Sequence, residues 1–271
     1  MEQKGEGLKR QETLQAVLSQ RPLGLVFDID GTLSPIAPTS ELAQLYPGVT
    51  SLLEKAREQA HIAIMTGRAI EDGAGKVNVD GITYIGTHGL EWSDGLPWLH
   101  PVHIAPGALD YAEAGTYLLD LVEKRLAELP GVRVQRKRVG GSIHYRLSPD
   151  HEQTRQKLLE LLEEPARQVK MSLSEGKQIV EIRAPLAIDK GLALRRFAQR
   201  FSLRGIVFAG DDRTDLDAIM EIGRLRQEGL AALAVVVRHA DTLPDLLQYA
   251  DVVVDGVPEM VKLLRETVGM L

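Results

Sequence analysis

The sequence predicts an α/β protein built on a doubly wound parallel sheet, with a smaller α+β segment inserted into it. Three observations carry this. Short apolar runs alternate with amphipathic helical stretches at both ends of the chain, the order that gives parallel sheets. Polar clusters follow several of these runs directly, where open α/β sheets gather reactive groups. Between 105 and 183 the pattern changes to strict alternation beside long helices, as expected of an antiparallel sheet with one open face. The boundaries fall near 104 and 184, giving a core of 1–104 with 184–271 and an insert of 105–183.

Residues 7–19 carry leucine and valine at helical spacing and pack on the core. Leu23 to Phe27 form a buried strand that breaks into Asp28-Ile29-Asp30-Gly31-Thr32. Pro47-Gly48 opens a helix, His61 to Met65 form a strand, a helix follows Arg68, and Ile82 to Gly86 form the next strand. The pattern resumes at Ile206 to Ala209, Ala232 to Val237 and Val252 to Val254. In the insert, a long helix from about Ala108 to Leu129 precedes strands at Val132 to Lys137 and Ser142 to Leu147. A helix over 151–163 and an alternating stretch from Ser174 to Arg183, a strand or a hairpin, complete it. Ser142, His144 and Arg146 share one side, and Glu175, Lys177, Glu181 and Arg183 share one parity against Val180 and Ile182.

With 271 residues, 44% hydrophobic content and net charge -6, the chain can bury one or two substantial cores. The absence of cysteine excludes disulfides, thiolate ligands and thiol nucleophiles, so a metal must be held by oxygen or imidazole. No apolar run is long enough to cross a membrane, and the opening residues are too polar for a secretory signal. A cytoplasmic protein without membrane or nucleic-acid partners is expected, despite the basic stretch RVQRKR at 133–138. The expected unit is a monomer or small homo-oligomer.

The chemistry begins at Asp28 and Asp30. Alternation aims both carboxylates to one side, and Gly31 lets the backbone bend close to a ligand. The pair suits a nucleophile beside an acid/base, and the same residues also make a good turn. After the strand ending at Met65, Thr66 can donate to a phosphoryl oxygen or cap a helix; Gly67 and Arg68 are candidate substrate-binding residues beside it. Lys190 follows Asp189, a helix cap, and a cation in a first turn opposes the helix dipole, which an anionic partner explains and which a screened surface lysine pointing away explains as well. Asp211, Asp212 and Asp215 crowd one strand-to-helix turn, where Thr214 with Asp217 resembles a capping box. Capping needs neither Asp211 nor Asp212, whose repulsion a hard divalent cation relieves; Mg²⁺ is the expected ion. Together these residues describe phosphoryl transfer through an aspartyl-phosphate: Asp28 attacks, Asp30 transfers the proton, and Thr66 and Lys190 hold the phosphoryl oxygens. Mg²⁺ would be held by Asp28, the Asp30 carbonyl and Asp211, with Asp212 beside them and Asp215 in support.

Through DIDGT at 28–32, the threonine of MTGR, Lys190 and GDDRTD at 210–215, the sequence resembles the haloacid dehalogenase superfamily of phosphatases. That resemblance implies an insert acting as a specificity cap. More narrowly, DIDGTLSPI, GTHGLE at 86–91, KRVGGSIHYR at 137–146 and EGKQIVEIR at 175–183 resemble the trehalose-6-phosphate phosphatase family. This implies a sugar phosphate substrate, with Glu91, Lys137, His144, Arg146, Glu175, Lys177, Glu181 and Arg183 facing the sugar. Gln135 stands where family members often carry glutamate, Arg136 and Arg138 flank Lys137, and GDDRTDLDAI departs from GDD-x-TDED. The alternatives are a capped phosphatase acting on glycosyl-3-phosphoglycerate or sucrose phosphate, a sugar phosphomutase, and a non-catalytic sugar-phosphate sensor.

Overall fold

The computed structural model describes residues 12–271. The part of the expected first helix that lies before residue 12 falls outside them. Two compact units emerge, one reaching to Ala37 and continuing through Ala43–His103 and Ile188–Leu271, the other comprising Pro38–Leu42 and Ile104–Ala187. In chain order the helices are α1 (12–18), α2 (Val49–Ala56), α3 (Ile70–Val77), α4 (Ala112–Glu123), α5 (His151–Gln168), α6 (Lys190–Arg200), α7 (Leu216–Gln227), α8 (Pro244–Gln248) and α9 (Gly256–Met270). The strands are β1 (Leu23–Phe27), β2 (His61–Met65), β3 (Thr83–Gly86), β4 (Glu91–Ser93), β5 (His103–Ile104), β6 (Arg133–Arg136), β7 (Gly141–His144), β8 (Ser172–Gly176), β9 (Ile179–Arg183), β10 (Gly205–Gly210), β11 (Ala231–Arg238) and β12 (Val252–Asp255).

The first unit carries a sheet in the order β12-β11-β10-β1-β2-β3-β4-β5. From β12 to β3 neighbouring strands run parallel, and β4 returns antiparallel to β3. Parallel strands covered on both faces have no reason to alternate, which is why their sequences read as continuous apolar runs. Leu25, Phe27, Ile62 and Ile64 join one core with Leu14, Val17, Val49, Leu53, Ile70 and Met260. Val26, Ala63, Met65 and Phe208 join another with Leu194, Phe197, Ile219 and Leu246. Each fully buried side chain of this size stabilises by about 1.5–3 kcal/mol. The short strands β4 and β5, which extend the sheet beyond β3, are additions that the apolar-run pattern does not reveal.

The second unit is an antiparallel sheet, β6-β7-β9-β8, with Ile143, Val180 and Ile182 packed against Leu118, Leu119, Leu158 and Leu162 of α4 and α5. Helix α4 is shorter than expected, because residues 123–128 are exposed and offer no stripe to pack. Helix α5 is longer. Its buried Thr154, Leu158, Leu162 and Ala166 keep helical spacing past Pro165, so packing overrides the proline. Strand β7 stops at His144, with Arg146 in the turn beyond it.

The stretch 174–183 is a hairpin. Gly176 pairs with Ile179, Glu175 with Val180 and Ser174 with Glu181. Lys177 and Gln178 are the two turn residues, Gln178 at φ 54. A two-residue turn reverses the relation between residue parity and sheet face, so Glu175 lies on the helix-covered face with Val180 and not with Glu181 and Arg183. This corrects the shared parity read across the turn.

Candidate active site

The site of the first unit is built at the carboxyl ends of β1 and β10, neighbours in the sheet. Beyond β1 the backbone closes on itself: the Ile29 carbonyl accepts from the amides of Thr32, Leu33 and Ser34. Gly31 stands at φ 82, and a Cβ there would lie 2.2 Å from Asp211 Oδ2. Only glycine allows that loop to meet that carboxylate.

Lys190 opens α6, whose N-cap Asp189 accepts from the Leu192 amide at 2.8 Å. Its ammonium, 2% exposed, donates to Asp28 Oδ1 at 2.7 Å and to Asp215 Oδ1 at 2.6 Å. The anionic partner required by a first-turn cation is therefore double. Asp215 in turn accepts at Oδ2 from the amides of Asp211 (3.0 Å) and Asp212 (2.9 Å). The capping box here joins Asp212 and Asp215, not Thr214 and Asp217. Asp215 is thus the hub that fixes Lys190 and the loop backbone together.

Burial pushes the Asp28 carboxyl up from 3.8 to about 7, with Lys190 opposing and Asp215 and Asp30 adding to the rise. Burial works against the Lys190 charge, but Asp215 and Asp28 outweigh it and raise its pKa. Asp28, Asp211 and Asp215, all buried, each offer an oxygen within 4.8 Å of the others. Three buried carboxyls face one ammonium, and every offered donor is a hard oxygen, so the set fits a divalent cation such as Mg²⁺. Asp212 is absent from that cluster and serves the turn instead, a correction to its place as a candidate ligand. Because both Asp215 oxygens already carry hydrogen bonds, Asp28 and Asp211 are the better ligands.

Asp30 faces other partners. Arg68 grips it at both oxygens, Nε to Oδ2 at 2.6 Å and Nη2 to Oδ1 at 2.7 Å, and reaches Asp72 Oδ2 from Nη1 at 2.6 Å. Burial opposes the Arg68 charge, yet these carboxylates raise its pKa. Arg68 is therefore an orienting clamp on Asp30 rather than a cation presented to substrate, which corrects the sequence expectation. Thr66, 3% exposed, accepts at Oγ1 from the Arg68 amide at 3.2 Å. It does not cap α3, whose N-cap is Ala69. Gly67 lies against the imidazole of His88, where a Cβ would be 2.5 Å from the ring. Glu91 is also a correction. Its carboxylate, 2% exposed, accepts from the Ile70 amide and the Thr87 hydroxyl, each at 2.9 Å, so it caps α3, which has no side-chain cap of its own.

In the second unit the face of the sheet turned away from α4 and α5 carries the other polar candidates, Ser142 and Glu181 being buried on it. Lys137 donates to Glu181 Oε1 at 2.7 Å and the Ser142 hydroxyl to the same oxygen at 3.0 Å. His144 Nε2 lies 3.0 Å from Gln135 Oε1. Both line a small cavity with Arg133, Arg146 and 38–41. Arg183 shares the face of Glu181, opposite Ser172, while the Lys177 carbonyl at the hairpin tip accepts from Arg146. Glu175 is bound by Arg155 of α5 on the other face, so it is not among these residues. Arg136 is held by Asp120 and Glu123 of α4. The basic stretch is thus largely neutralised within the fold.

One residue at the first site escaped the sequence reading. His239 follows β11 directly, and its Nε2 lies 2.7 Å from the Gly31 carbonyl and 3.8 Å from Asp211 Oδ2. The signal was available, since a histidine at the carboxyl end of a buried apolar run is placed as Asp28 and Asp211 are.

Among the described residues no helix is long and apolar enough to cross a membrane. A family model described as trehalose-phosphatase matches residues 26–244. The trehalose-phosphate phosphatase of Mycobacterium leprae is 30% identical over 237 residues, 83% of this chain and 52% of that protein. An uncharacterized glycosyl hydrolase of Mycobacterium tuberculosis is 30% identical over 242 residues, 86% of this chain and 17% of its own length. The chain thus spans about half, or far less, of these relatives. The crystal structure of a trehalose-6-phosphate phosphatase related protein superposes with a TM-score of 0.75 at 27% identity, covering 91% of this chain and 97% of that one. The C-terminal domain of a Candida albicans trehalose-6-phosphate phosphatase shares the fold, with a TM-score of 0.81 at 19% identity over 97% of both chains.

Proposed function

The chain belongs to the trehalose-phosphatase family, and from that premise we propose that it is a Mg²⁺-dependent phosphatase of the haloacid dehalogenase superfamily that hydrolyses trehalose 6-phosphate. The observation that carries the proposal is Asp28, buried at the end of β1 and held at 2.7 Å by the ammonium of Lys190.

In this reading Asp28 attacks phosphorus and the sugar oxygen leaves. Asp30, oriented by the Arg68 clamp, gives that oxygen its proton and then takes one from the water that clears the aspartyl-phosphate. Thr66 and Lys190 bind the phosphoryl oxygens, and Lys190 offsets their charge. Asp28 and Asp211 would hold the cation, with the Asp30 carbonyl. When bound, Mg²⁺ neutralises the phosphate charge that otherwise repels a carboxylate nucleophile.

The polar residues on the face of the second unit's sheet turned away from its helices support a role in selecting the sugar. Lys137, Ser142 and Glu181 form a pre-assembled network, and charged donors and acceptors of this kind hydrogen-bond vicinal hydroxyls. Arg136 and Lys137 are already paired with carboxylates, which favours a neutral sugar over an acidic aglycone such as phosphoglycerate. A cytoplasmic enzyme acting alone on a small molecule, as a monomer or small homo-oligomer, fits this reading.

The test is phosphate release with Mg²⁺ across a panel of sugar phosphates. Trehalose 6-phosphate should give the highest kcat/KM. A better rate on sucrose phosphate or a glycosyl phosphoglycerate removes the narrow assignment, and an isomerised product without free phosphate removes the hydrolase reading.

A further inference from the structure

The loop that follows Asp28 is tied to a part of the sheet that the proposed chemistry leaves unused. Strand β11 lies two positions from β1, with β10 between them, a separation of about 10 Å at the usual strand spacing. His239 stands immediately beyond β11, its ring half-buried, 21% exposed. The imidazole reaches back across the end of β10, where Asp211 sits, and meets the Gly31 carbonyl at 2.7 Å. A carbonyl has no proton to give, so Nε2 carries the hydrogen and donates it. The same nitrogen lies 3.8 Å from Asp211 Oδ2.

Three strand ends are thereby stacked: the Gly31 loop, the Asp211 carboxylate and the His239 ring. The loop closes internally through the Ile29 carbonyl and a bond from the Gly31 amide to the Ser34 carbonyl at 2.7 Å. Those bonds set its shape; its distance from Asp211 depends on a long bond from the Thr32 hydroxyl to Asp211 Oδ1 at 3.5 Å and on His239 at the Gly31 carbonyl. The backbone of His239 is itself anchored, its amide donating to Thr242 Oγ1 at 2.7 Å, so the ring springs from a fixed point.

We propose that His239 is a positioning residue that sets the spacing between the Asp30–Thr32 loop and Asp211 by donating to the Gly31 carbonyl. The inference rests on the hydrolase reading above. Without the donor the loop is freed on its β11 side. Asp30, still gripped by Arg68, shifts relative to Asp211, and the cation ligands lose their mutual spacing, while the sugar-selecting residues of the second unit are untouched. Errors in placement of about 1 Å can cost up to about a hundredfold in rate.

The test uses the full chain with His239→Ala, His239→Phe and His239→Gln. Alanine and phenylalanine both remove the donor, one leaving space and the other keeping a ring; glutamine keeps an N–H. Both donor-less variants should lower kcat about tenfold with KM for trehalose 6-phosphate changed less than about twofold. Mg²⁺ binding by calorimetry without substrate should weaken in parallel, and His239→Gln should restore most of both. Thermal denaturation checks that each variant folds, and if one does not, the comparison of the remaining pair still decides. Donor-less variants with kcat and Mg²⁺ affinity like the wild type overturn the inference, as does a loss that glutamine fails to repair. If the wild type releases phosphate from no sugar phosphate, the hydrolase reading falls instead, and Mg²⁺ binding alone then judges His239.

Discussion

Replacing Asp28 by asparagine should make the metal-free protein more stable at alkaline pH while abolishing phosphate release. The side chain is the same size, and its oxygen can still accept from Lys190. The folded carboxyl is pushed from 3.8 to about 7, chiefly by burial. A carboxyl raised on folding contributes its stability in full below the unfolded value, and that contribution is lost as pH rises through the folded value. The unfolded wild type is ionised from about pH 4 upward, whereas the folded protein holds its proton to about pH 7, so the wild type weakens across that window. Three units at about 1.36 kcal/mol each give a ceiling of about 4 kcal/mol. That shift is already net of the Asp28–Lys190 attraction, which opposes it, and about two of the three units fall between pH 5 and pH 7. The advantage of Asp28→Asn should therefore widen by about 2–3 kcal/mol between pH 5 and pH 8 and level off above, a relative Tm gain of about 4–12 °C. The assay is thermal denaturation in chelator across that pH range. With excess Mg²⁺ the order should contract or invert, because only the wild type binds the ion well. A gap that does not change with pH, or an asparagine variant less stable at pH 8, would refute the reasoning.

Three further outcomes follow from the geometry. Lys190→Met leaves Asp28 and Asp215 buried against each other, and denaturation should show a loss of about 3–5 kcal/mol, with phosphate release reduced to background. Gly31→Ala places a methyl 2.2 Å from Asp211 Oδ2 on backbone at φ 82; it should cost at least about 2 kcal/mol and weaken Mg²⁺ binding in calorimetry. Glu181→Gln keeps the oxygen that Ser142 and Lys137 share but removes the charge facing Lys137, whose side chain is 4% exposed; KM for trehalose 6-phosphate should rise about tenfold with kcat changed less than about threefold.

The first site could be read from sequence to the extent that its residues follow apolar runs. Asp28, Thr66 and Asp211 do, and Lys190 was marked by a cation at a helix start where the dipole repels it. What the pattern could not divide was labour among like groups. Asp211 and Asp212 are adjacent carboxylates, and only hydrogen bonds to Asp215 distinguish the buried one from the one that serves the turn. Glu91 looked available because nothing in its neighbourhood shows that α3 lacks a cap. Glu175 was placed on the wrong face because side-chain direction across a hairpin depends on turn length, which alternation alone does not reveal. Arg136 belongs to a basic stretch whose charge looks unbalanced in sequence, because its partners Asp120 and Glu123 come from α4. Some misses are local, as at Asp212 and Asp215 three residues apart, and others join neighbouring elements, as at Glu91 and Ile70 21 residues apart; none reaches as far along the chain as the contact that completes the site.

That same distance governs how the molecule is made. Asp28 and Lys190 are 162 residues apart, and β1 meets β2 soon after synthesis but β10 only after the whole second unit has been translated. At ordinary elongation rates the wait is about 10–40 s. During it, Leu23–Phe27, wholly apolar, presents an unpaired edge of the kind that templates aggregation. The nascent chain is therefore most exposed to chaperones and to its neighbours on the same message while its nucleophile is already made and its lysine is not. The second unit, complete in its own core, can fold in that interval and shorten the search that brings β10 to β1.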